Sequence, residues 1–301
     1  MVDLIVIGGG PAGLTAAVYA IRKRLNCLLI SPDLGGKANV RMQIEGVDTF
    51  NVINGGELVR RFRNEIEYLD FARLLEKVVR LEKVDDVFVV TTESGKRLEA
   101  RAVILATGAD ALRLKASGAD RYFLRGVSYS TVSYAPLFID KSVALVGSGF
   151  MAIRGAAELA QIAGQVTLVA PTHGDLDTPL GRRVLASPNV TLLENWEVAA
   201  VEGDEYARRL VVRSPGGEER VLEVDGIFVE LGLLPHSELV SGLATVDEQG
   251  HVVVNCGAET SVPGLYAAGD VTQLPAEQVV IAIGEGAKAA LAAYEYLMRT
   301  A

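Results

Sequence analysis

The 301-residue sequence predicts an α/β fold built on two repeated βαβ units, and three observations predict it. Near the start an apolar run, 4–7, enters a glycine cluster; an alanine-rich amphipathic stretch follows, and a second apolar run, 27–30, closes the unit. The same arrangement returns from residue 142 at an offset of 139 (147 − 8, 149 − 10, 152 − 13). Each copy is then followed by short β-type runs separated by turn residues. A repeat at one fixed offset argues for two equivalent folding units rather than two chance glycine clusters.

In the first copy Gly8, Gly10 and Gly13 form G-x-G-x-x-G between an expected strand and an expected helix. At that junction the pattern has a physical meaning. The first glycine permits a tight turn, the second lets a pyrophosphate approach the backbone, and the third lets helix and strand pack closely. Free N–H groups at the helix start then face the phosphates along the helix dipole. In the second copy Gly147, Gly149 and Ala152 take these places, followed by VTLVA as CLLIS follows in the first. Both units are therefore expected to be Rossmann-like dinucleotide-binding folds.

The remaining elements follow in chain order. Residues 31–58 form a long stretch rich in Gly, Asn and Asp, a length that usually signals function. A helix is expected over 57–69, with Leu58, Phe62, Ile66 and Leu69 on one face. Runs 78–81, 87–92 and 97–100 read as a meander, and 102–106 as a buried strand ending in Thr107-Gly108. After the second βαβ unit, 190–193, 210–213 and 220–224 read as another meander and 226–231 as an apolar strand. Residues 264–271 form a further strand and turn, and 278–299 a closing helix with small residues on its packing face.

Composition narrows the function. A net charge of −9 argues against nucleic acid or an anionic membrane as the main partner. No apolar run approaches the ~20 residues that span a bilayer, and the first strand begins at once, leaving no room for a signal peptide; a cytoplasmic protein is expected. The two cysteines, Cys27 and Cys256, lie far apart, and His173, His236 and His251 show no ligand spacing, so no metal is expected. Cys27 falls inside an apolar strand and reads as a buried, inert thiol.

Taken together the motifs resemble the low-molecular-weight thioredoxin reductase family of two-dinucleotide-fold flavoproteins. The resemblance rests on GGGPAGLTAAVYA near the start, LGGK at 34–37, ILATGA at 104–109, RGVSY at 125–129 and VGSGFMA at 146–152. It extends through LGLLPH at 231–236, YAAGDV at 266–271 and QVVIAIGEGAKAA from 278, nearly the whole chain. It implies a discontinuous FAD domain, 1–111 plus 240–301, with an NAD(P)-binding-like domain, 112–239, inserted between, and a homodimer. It also implies that Gly8, Gly10, Pro11, Ala12 and Gly13 cradle the FAD pyrophosphate. By the same resemblance Gly36 and Lys37 approach the flavin, Thr107 and Gly108 close over it, and Gly269-Asp270 meets the ribityl or phosphate region. Gln278 and Val279 start a helix whose N–H groups face the flavin N1/O2 edge, where reduced flavin is negative. Lys37 stands where the family usually has glutamine, and Gly46 where asparagine is common.

Two departures qualify that likeness. The family's redox Cys-x-x-Cys and following acid correspond here to Ser130, Ser133 and Tyr134. Hydroxyls cannot shuttle electrons through a disulfide, so the ordinary thioredoxin reductase reaction is not expected. The stretch 170–175, APTHGD, shows neither the basic cluster of an NADPH site nor the acid of an NADH site. Arg182 and Arg183 read as a solvated pair, and the bulky Phe150 and Met151 as covering the pyrophosphate groove. The cofactors expected are FAD and, through Gly147, Gly149 and Ala152, NADPH or NADH without a clear preference. Three functions stay open: an FAD-dependent oxidoreductase with another donor or acceptor, a small redox protein or a small molecule; a flavin-binding electron-transfer or sensor protein with a degenerate nicotinamide site; and a ferredoxin–NADP reductase of the thioredoxin-reductase type.

Overall fold

The computed structural model describes residues 1–40, 42–43, 55–273 and 276–300. Gly46, with residues 41 and 44–54 of the glycine-rich stretch 31–58, lies outside the described residues. The chain divides into two compact units: Met1–Val40, Ile53–Asp110 and Leu234–Ala301 form one, Arg41–Val52 and Ala111–Leu233 the other. The chain returns to the first unit at Leu234, where the sequence expectation placed it at 240.

The first unit starts with β1 (Val2–Ile7), α1 (Pro11–Arg22) and β2 (Cys27–Ile30), a βαβ crossover joining parallel strands. Leu4, Ile5, Val6 and Ile7 are all buried, so the apolar run is continuous rather than alternating because both faces of its strand are covered. Next come α2 (Gly55–Tyr68), β3 (Arg73–Leu74), β4 (Val78–Val84), β5 (Val87–Thr92) and β6 (Arg97–Leu105). On α2 Val59 and Ile66 are buried and Phe62 packs against the same core, so the expected face holds at Phe62 and Ile66, while Leu58 is 38% exposed and Val59 is buried in its stead. The sheet runs β3-β2-β1-β6-β5-β4.

The runs 97–100 and 102–106 form one strand, not two. The first half of β6 pairs antiparallel with β5 and the second half parallel with β1. Arg101, which separated the runs in sequence, stays in the strand by sending its guanidinium to the Leu297 carbonyl at 3.1 Å. A short β7 (Ala109–Ala111) then leads out of the unit.

The second unit contains β8 (Val127–Ser128), α3 (Thr131–Tyr134), β9 (Ser142–Val146), α4 (Phe150–Ile162), β10 (Gln165–Ala170), α5 (Pro179–Leu185) and β11 (Val190–Glu194). It continues with β12 (Glu197–Gly203), β13 (Ala207–Arg213), β14 (Glu219–Glu223) and β15 (Gly226–Val229). Its parallel sheet runs β11-β10-β9-β15-β8, and β12-β13-β14 is a separate antiparallel meander. Residues 190–193 are thus not the meander's first strand. They pair parallel with β10, and Glu197–Gly203, a half-polar run lacking a strong alternation, takes the meander position instead.

Finally β16 (Leu233–Pro235), which pairs with β7, β17 (Leu265–Ala267) and α6 (Val279–Arg299) bring the chain back. β17 joins the first sheet beside β6. α6 packs on α1 through Ala282, Gly286, Ala289, Ala290 and Ala293, all buried. Small residues there let the two helices approach until backbone nearly meets backbone: a Cβ on Gly286 would lie 2.1 Å from the Ala12 carbonyl oxygen. Among the described residues no helix is long and apolar enough to cross a membrane, and no group of three or more His, Cys, Asp or Glu is placed to hold a metal ion.

Candidate nucleotide sites

The glycines of the first unit divide by what surrounds them. A Cβ on Gly8 (φ 112°) would lie 2.3 Å from the Ala106 carbonyl oxygen, and one on Gly13 would lie 1.8 Å from the Gly8 carbonyl oxygen. These two serve turn and packing. A Cβ on Gly10 would meet nothing within 4 Å among the described residues. Gly10 is the N-cap of α1, without a side-chain cap, with Pro11 opening the helix and no acid in its first turn. The cradle is therefore an open helix N-terminus, chemically suited to a diphosphate. Gly36 (φ 52°) lies over it, its Cβ position 3.2 Å from the Gly10 Cα, and the Gly35 N–H donates to the Gly9 carbonyl at 2.7 Å. Beside this loop a cavity of about 370 Å³ is lined by Asp33, Leu34, Arg63, Glu67, Arg73 and Leu75.

Three charged groups meet at the start of α6. Lys37 Nζ lies 2.7 Å from Asp270 Oδ2 and 2.5 Å from Glu277 Oε2. Glu277 was not singled out from the sequence; its place just before QVVIAIGEGAKAA was the available signal. Burial works against the Lys37 charge, but the two carboxylates outweigh it and raise its pKa. One ammonium cannot neutralise two carboxylates, so burial, with Asp270 alongside, holds Glu277 above the usual carboxylate range despite Lys37. Gln278 is the N-cap of α6 and Val279 its first residue. The Gln278 Nε2 is buried without a hydrogen-bond partner among the described residues, a donor waiting for an acceptor. Asp270 and Gln278 together fit a polar ring-and-chain ligand such as FAD. Gly269 (φ 80°) turns the chain into Asp270, its Cβ position 3.1 Å from that of Ala12.

Lys37→Ala is expected to lower stability at neutral pH by about 1–2 kcal/mol, discounted because the Lys37 side chain is 45% exposed. Glu277, raised in the folded state, adds to stability when protonated and subtracts from it as pH rises through its folded pKa. Without Lys37 that penalty grows. The deficit of the variant should therefore narrow on acidification below the carboxylate range, as denaturant titrations at several pH values would show.

Thr107 and Gly108 hold the chain as it leaves β6. The Thr107 hydroxyl donates to the His236 carbonyl at 2.6 Å, and the His236 N–H donates to the Gly108 carbonyl at 2.9 Å. Cys27 is buried, and burial pushes its thiol up to about 12, while Cys256 is an exposed free thiol.

In the second unit Gly149 repeats Gly10: it is the N-cap of α4, without a side-chain cap, and a Cβ there would meet nothing within 4 Å among the described residues. Gly147 (φ 143°) repeats Gly8, its Cβ position 2.3 Å from the Glu230 carbonyl oxygen. Ala152 fills the third position beside it, 2.9 Å from that same point. Phe150 and Met151, which the sequence expectation places over the groove, are the first two residues of α4. Phe150 is 60% exposed, with the Arg154 guanidinium stacked 5.4 Å from its ring centroid, and Met151 is half-buried. Arg182 and Arg183 are exposed on α5, as read from the sequence. Ser130 and Ser133 bond to each other, Oγ to Oγ, at 2.9 Å, and the intervening Thr131 N–H donates to the buried Glu230 carboxylate at 2.7 Å. The Tyr134 hydroxyl accepts from the Met42 N–H at 3.2 Å.

Two units, each with a parallel βαβ crossover whose helix, α1 or α4, opens on a glycine cradle, define a two-dinucleotide-fold α/β protein. The chain belongs to the pyridine nucleotide-disulphide oxidoreductase family, whose profile matches residues 2–286. It is 36% identical over 305 residues to an alkyl hydroperoxide reductase component of Pseudomonas aeruginosa, covering 99% of this chain and 58% of that protein. To a Bacillus subtilis NADH dehydrogenase it is 35% identical over 301 residues, covering 99% and 59%. The chain thus spans about three fifths of the length of these curated relatives. Among solved structures it is similar to thioredoxin reductase from Streptococcus pyogenes (TM-score 0.89, 31% identity, 99% of each chain). It is also similar to thioredoxin reductase from Giardia duodenalis (TM-score 0.89, 27% identity, 99% of each chain). The expected resemblance to thioredoxin reductases, the two-Rossmann fold and the flavoprotein oxidoreductase class stand; FAD and NAD(P)H are the cofactors of this family.

Proposed function

We propose that the protein is an FAD-dependent NAD(P)H oxidoreductase that delivers electrons to an acceptor other than a disulfide of its own. The observation that carries this reading is the second cradle. Gly149 is as open as Gly10 among the described residues, and Phe150, the residue after it, is 60% exposed. A degenerate nucleotide site, as a sensor or a purely electron-transferring protein would have, would be expected to fill that space.

FAD bound in the first unit supplies the two-electron redox chemistry. Gly8, Gly10, Pro11, Ala12 and Gly13 bind its diphosphate through the α1 N-terminus, and Gly36 and Lys37 flank it. Asp270 orients the ribityl region, Gln278 donates from its orphaned Nε2, and Gly269, Thr107, Gly108 and Val279 shape the backbone around these groups. Gly147, Gly149 and Ala152 bind the pyridine nucleotide through the α4 N-terminus.

Ser130 and Ser133 take the place of the redox dithiol in this reading. Their mutual hydrogen bond supports a space-filling role, and Cys27, buried with a raised pKa, offers no substitute. The acceptor belongs to the class of small redox proteins or small oxidants. The likeness to thioredoxin reductases supports a homodimer, and a chain with two free thiols suits a reducing, cytoplasmic compartment.

The test is anaerobic addition of NADH, then NADPH, to the purified yellow protein while flavin absorbance is followed. Bleaching by either coenzyme is expected. Flavin that only dithionite reduces would remove the oxidoreductase reading and leave the electron-transfer or sensor reading.

A further inference from the structure

The loop that follows β10 is tied onto the second glycine cradle. Ser148 Oγ and Thr172 Oγ1 are hydrogen-bonded at 2.8 Å, and the Asp175 N–H donates to the Ser148 carbonyl at 2.8 Å. Gly174 (φ 50°) fits so closely that a Cβ would lie 2.3 Å from that carbonyl oxygen. The loop therefore has a fixed position at the end of the strand where a dinucleotide's adenosine ribose is read, some ~20 residues after the glycines. The strand itself ends in Ala170, which has nothing to read a ribose with.

Its neighbour does. In the parallel register of β10 and β11, Ala170 lies opposite Glu194, the last residue of β11. The Glu194 carboxylate reaches back over the strand end: its Oε1 is 2.7 Å from His173 Nδ1, in the loop just described. His173 is held on its other side by Asp177, whose Oδ2 is 2.9 Å from Nε2. With His173 neutral or protonated, these three side chains together carry net negative charge. The nearest basic groups in sequence do not reverse this. The Arg182 guanidinium is turned to the Asp177 carbonyl, and Arg183 is exposed on α5.

We propose that Glu194, carried by the adjacent strand and positioned by His173, reads the adenosine ribose of the pyridine nucleotide and makes the coenzyme NADH rather than NADPH. A ribose 2′-hydroxyl can donate to this carboxylate, whereas a 2′-phosphate would bring like charge against Glu194 and Asp177. The inference rests on the nucleotide reading of the second unit. It replaces the expectation of no preference with a named residue. The strand-end signature is absent from the sequence order because the acid is supplied 24 positions after Ala170 (194 − 170), across a strand pair.

The test is anaerobic calorimetric titration of the FAD-loaded protein, its flavin first reduced with dithionite so that no hydride moves, with NADH and with NADPH, for the wild type and for Glu194→Gln and Glu194→Arg. The wild type is expected to bind NADH at least about tenfold more tightly than NADPH. Glu194→Gln should shrink that ratio, and Glu194→Arg should reverse it by creating a 2′-phosphate partner. Flavin content and thermal midpoint should stay unchanged in both variants. NADPH binding as tightly as NADH in the wild type, or a ratio unmoved by both variants, would overturn the assignment of Glu194 alone. Failure of the wild type to bind either coenzyme would instead overturn the nucleotide reading, and this inference with it.

Discussion

Gly286→Ala is expected to destabilise the first unit by about 1–3 kcal/mol or more and to reduce its flavin content, while Gly284→Ala, two positions earlier on the same helix, stabilises it by up to about 1 kcal/mol. The two substitutions add the same methyl group to α6. At Gly284 it would meet nothing within 4 Å among the described residues, so only the helical preference of alanine is felt. At Gly286 it would lie 2.1 Å from the Ala12 carbonyl oxygen and 2.9 Å from the Ala12 Cα. Those are backbone atoms of the first turn of α1, and they cannot turn aside as a side chain does. The helices must separate, and what separates them also moves the two ends that, in the proposed reading, meet the FAD: the α1 N-terminus at Gly10 and the α6 N-terminus at Gln278. Denaturant titration and the ratio of flavin to protein absorbance measure both effects. Equal stability of the two variants would show that the α1–α6 contact is looser than described.

That contact also shows what the sequence can and cannot reveal. The small residues of the closing helix were visible as a packing face, but not the helix they face, because α1 and α6 lie at opposite ends of the chain. The glycine cradles were legible because a turn, a close approach and a helix start must occur within six consecutive residues. Strand pairing was less so. Residues 190–193 carry the same apolar pattern whether they pair parallel with β10 or antiparallel in a meander, and only the register decides. Arg101 looked like a break between two strands because its side-chain partner, the Leu297 carbonyl, is remote in sequence. The ion cluster of Lys37, Asp270 and Glu277 shows the same limit. Lys37 stood out as an unusual residue, yet its two carboxylates come from 233 and 240 positions further on (270 − 37, 277 − 37).

The second large effect concerns Gly10→Ala and Gly149→Ala, which should separate folding from binding and one site from the other. Both positions have backbone angles open to any residue, φ −71° at Gly10 and φ −82° at Gly149, and an added Cβ would meet no described protein atom within 4 Å. Either variant should fold, at a cost of about 1 kcal/mol or less for alanine at an N-cap. The space is free of protein because, in the proposed reading, a diphosphate comes against the backbone there. A methyl group would hold it away and lengthen its bonds to the helix N–H groups, a loss of about 2–3 kcal/mol, or about a hundredfold in affinity. Gly10→Ala should therefore purify with little flavin and regain it only at raised FAD concentration. Gly149→Ala should stay yellow, with an unchanged flavin spectrum, but need about a hundredfold more pyridine nucleotide for the same anaerobic bleaching rate. A Gly149→Ala protein bleached as readily as the wild type would mean that the coenzyme does not use the α4 N-terminus, whatever reduces the flavin. A Gly10→Ala protein that retains its full flavin would move the FAD diphosphate off α1. Since the two glycines are related by the 139-residue repeat, opposite phenotypes from one substitution in equivalent frames would assign the two cradles to two different nucleotides within a single chain.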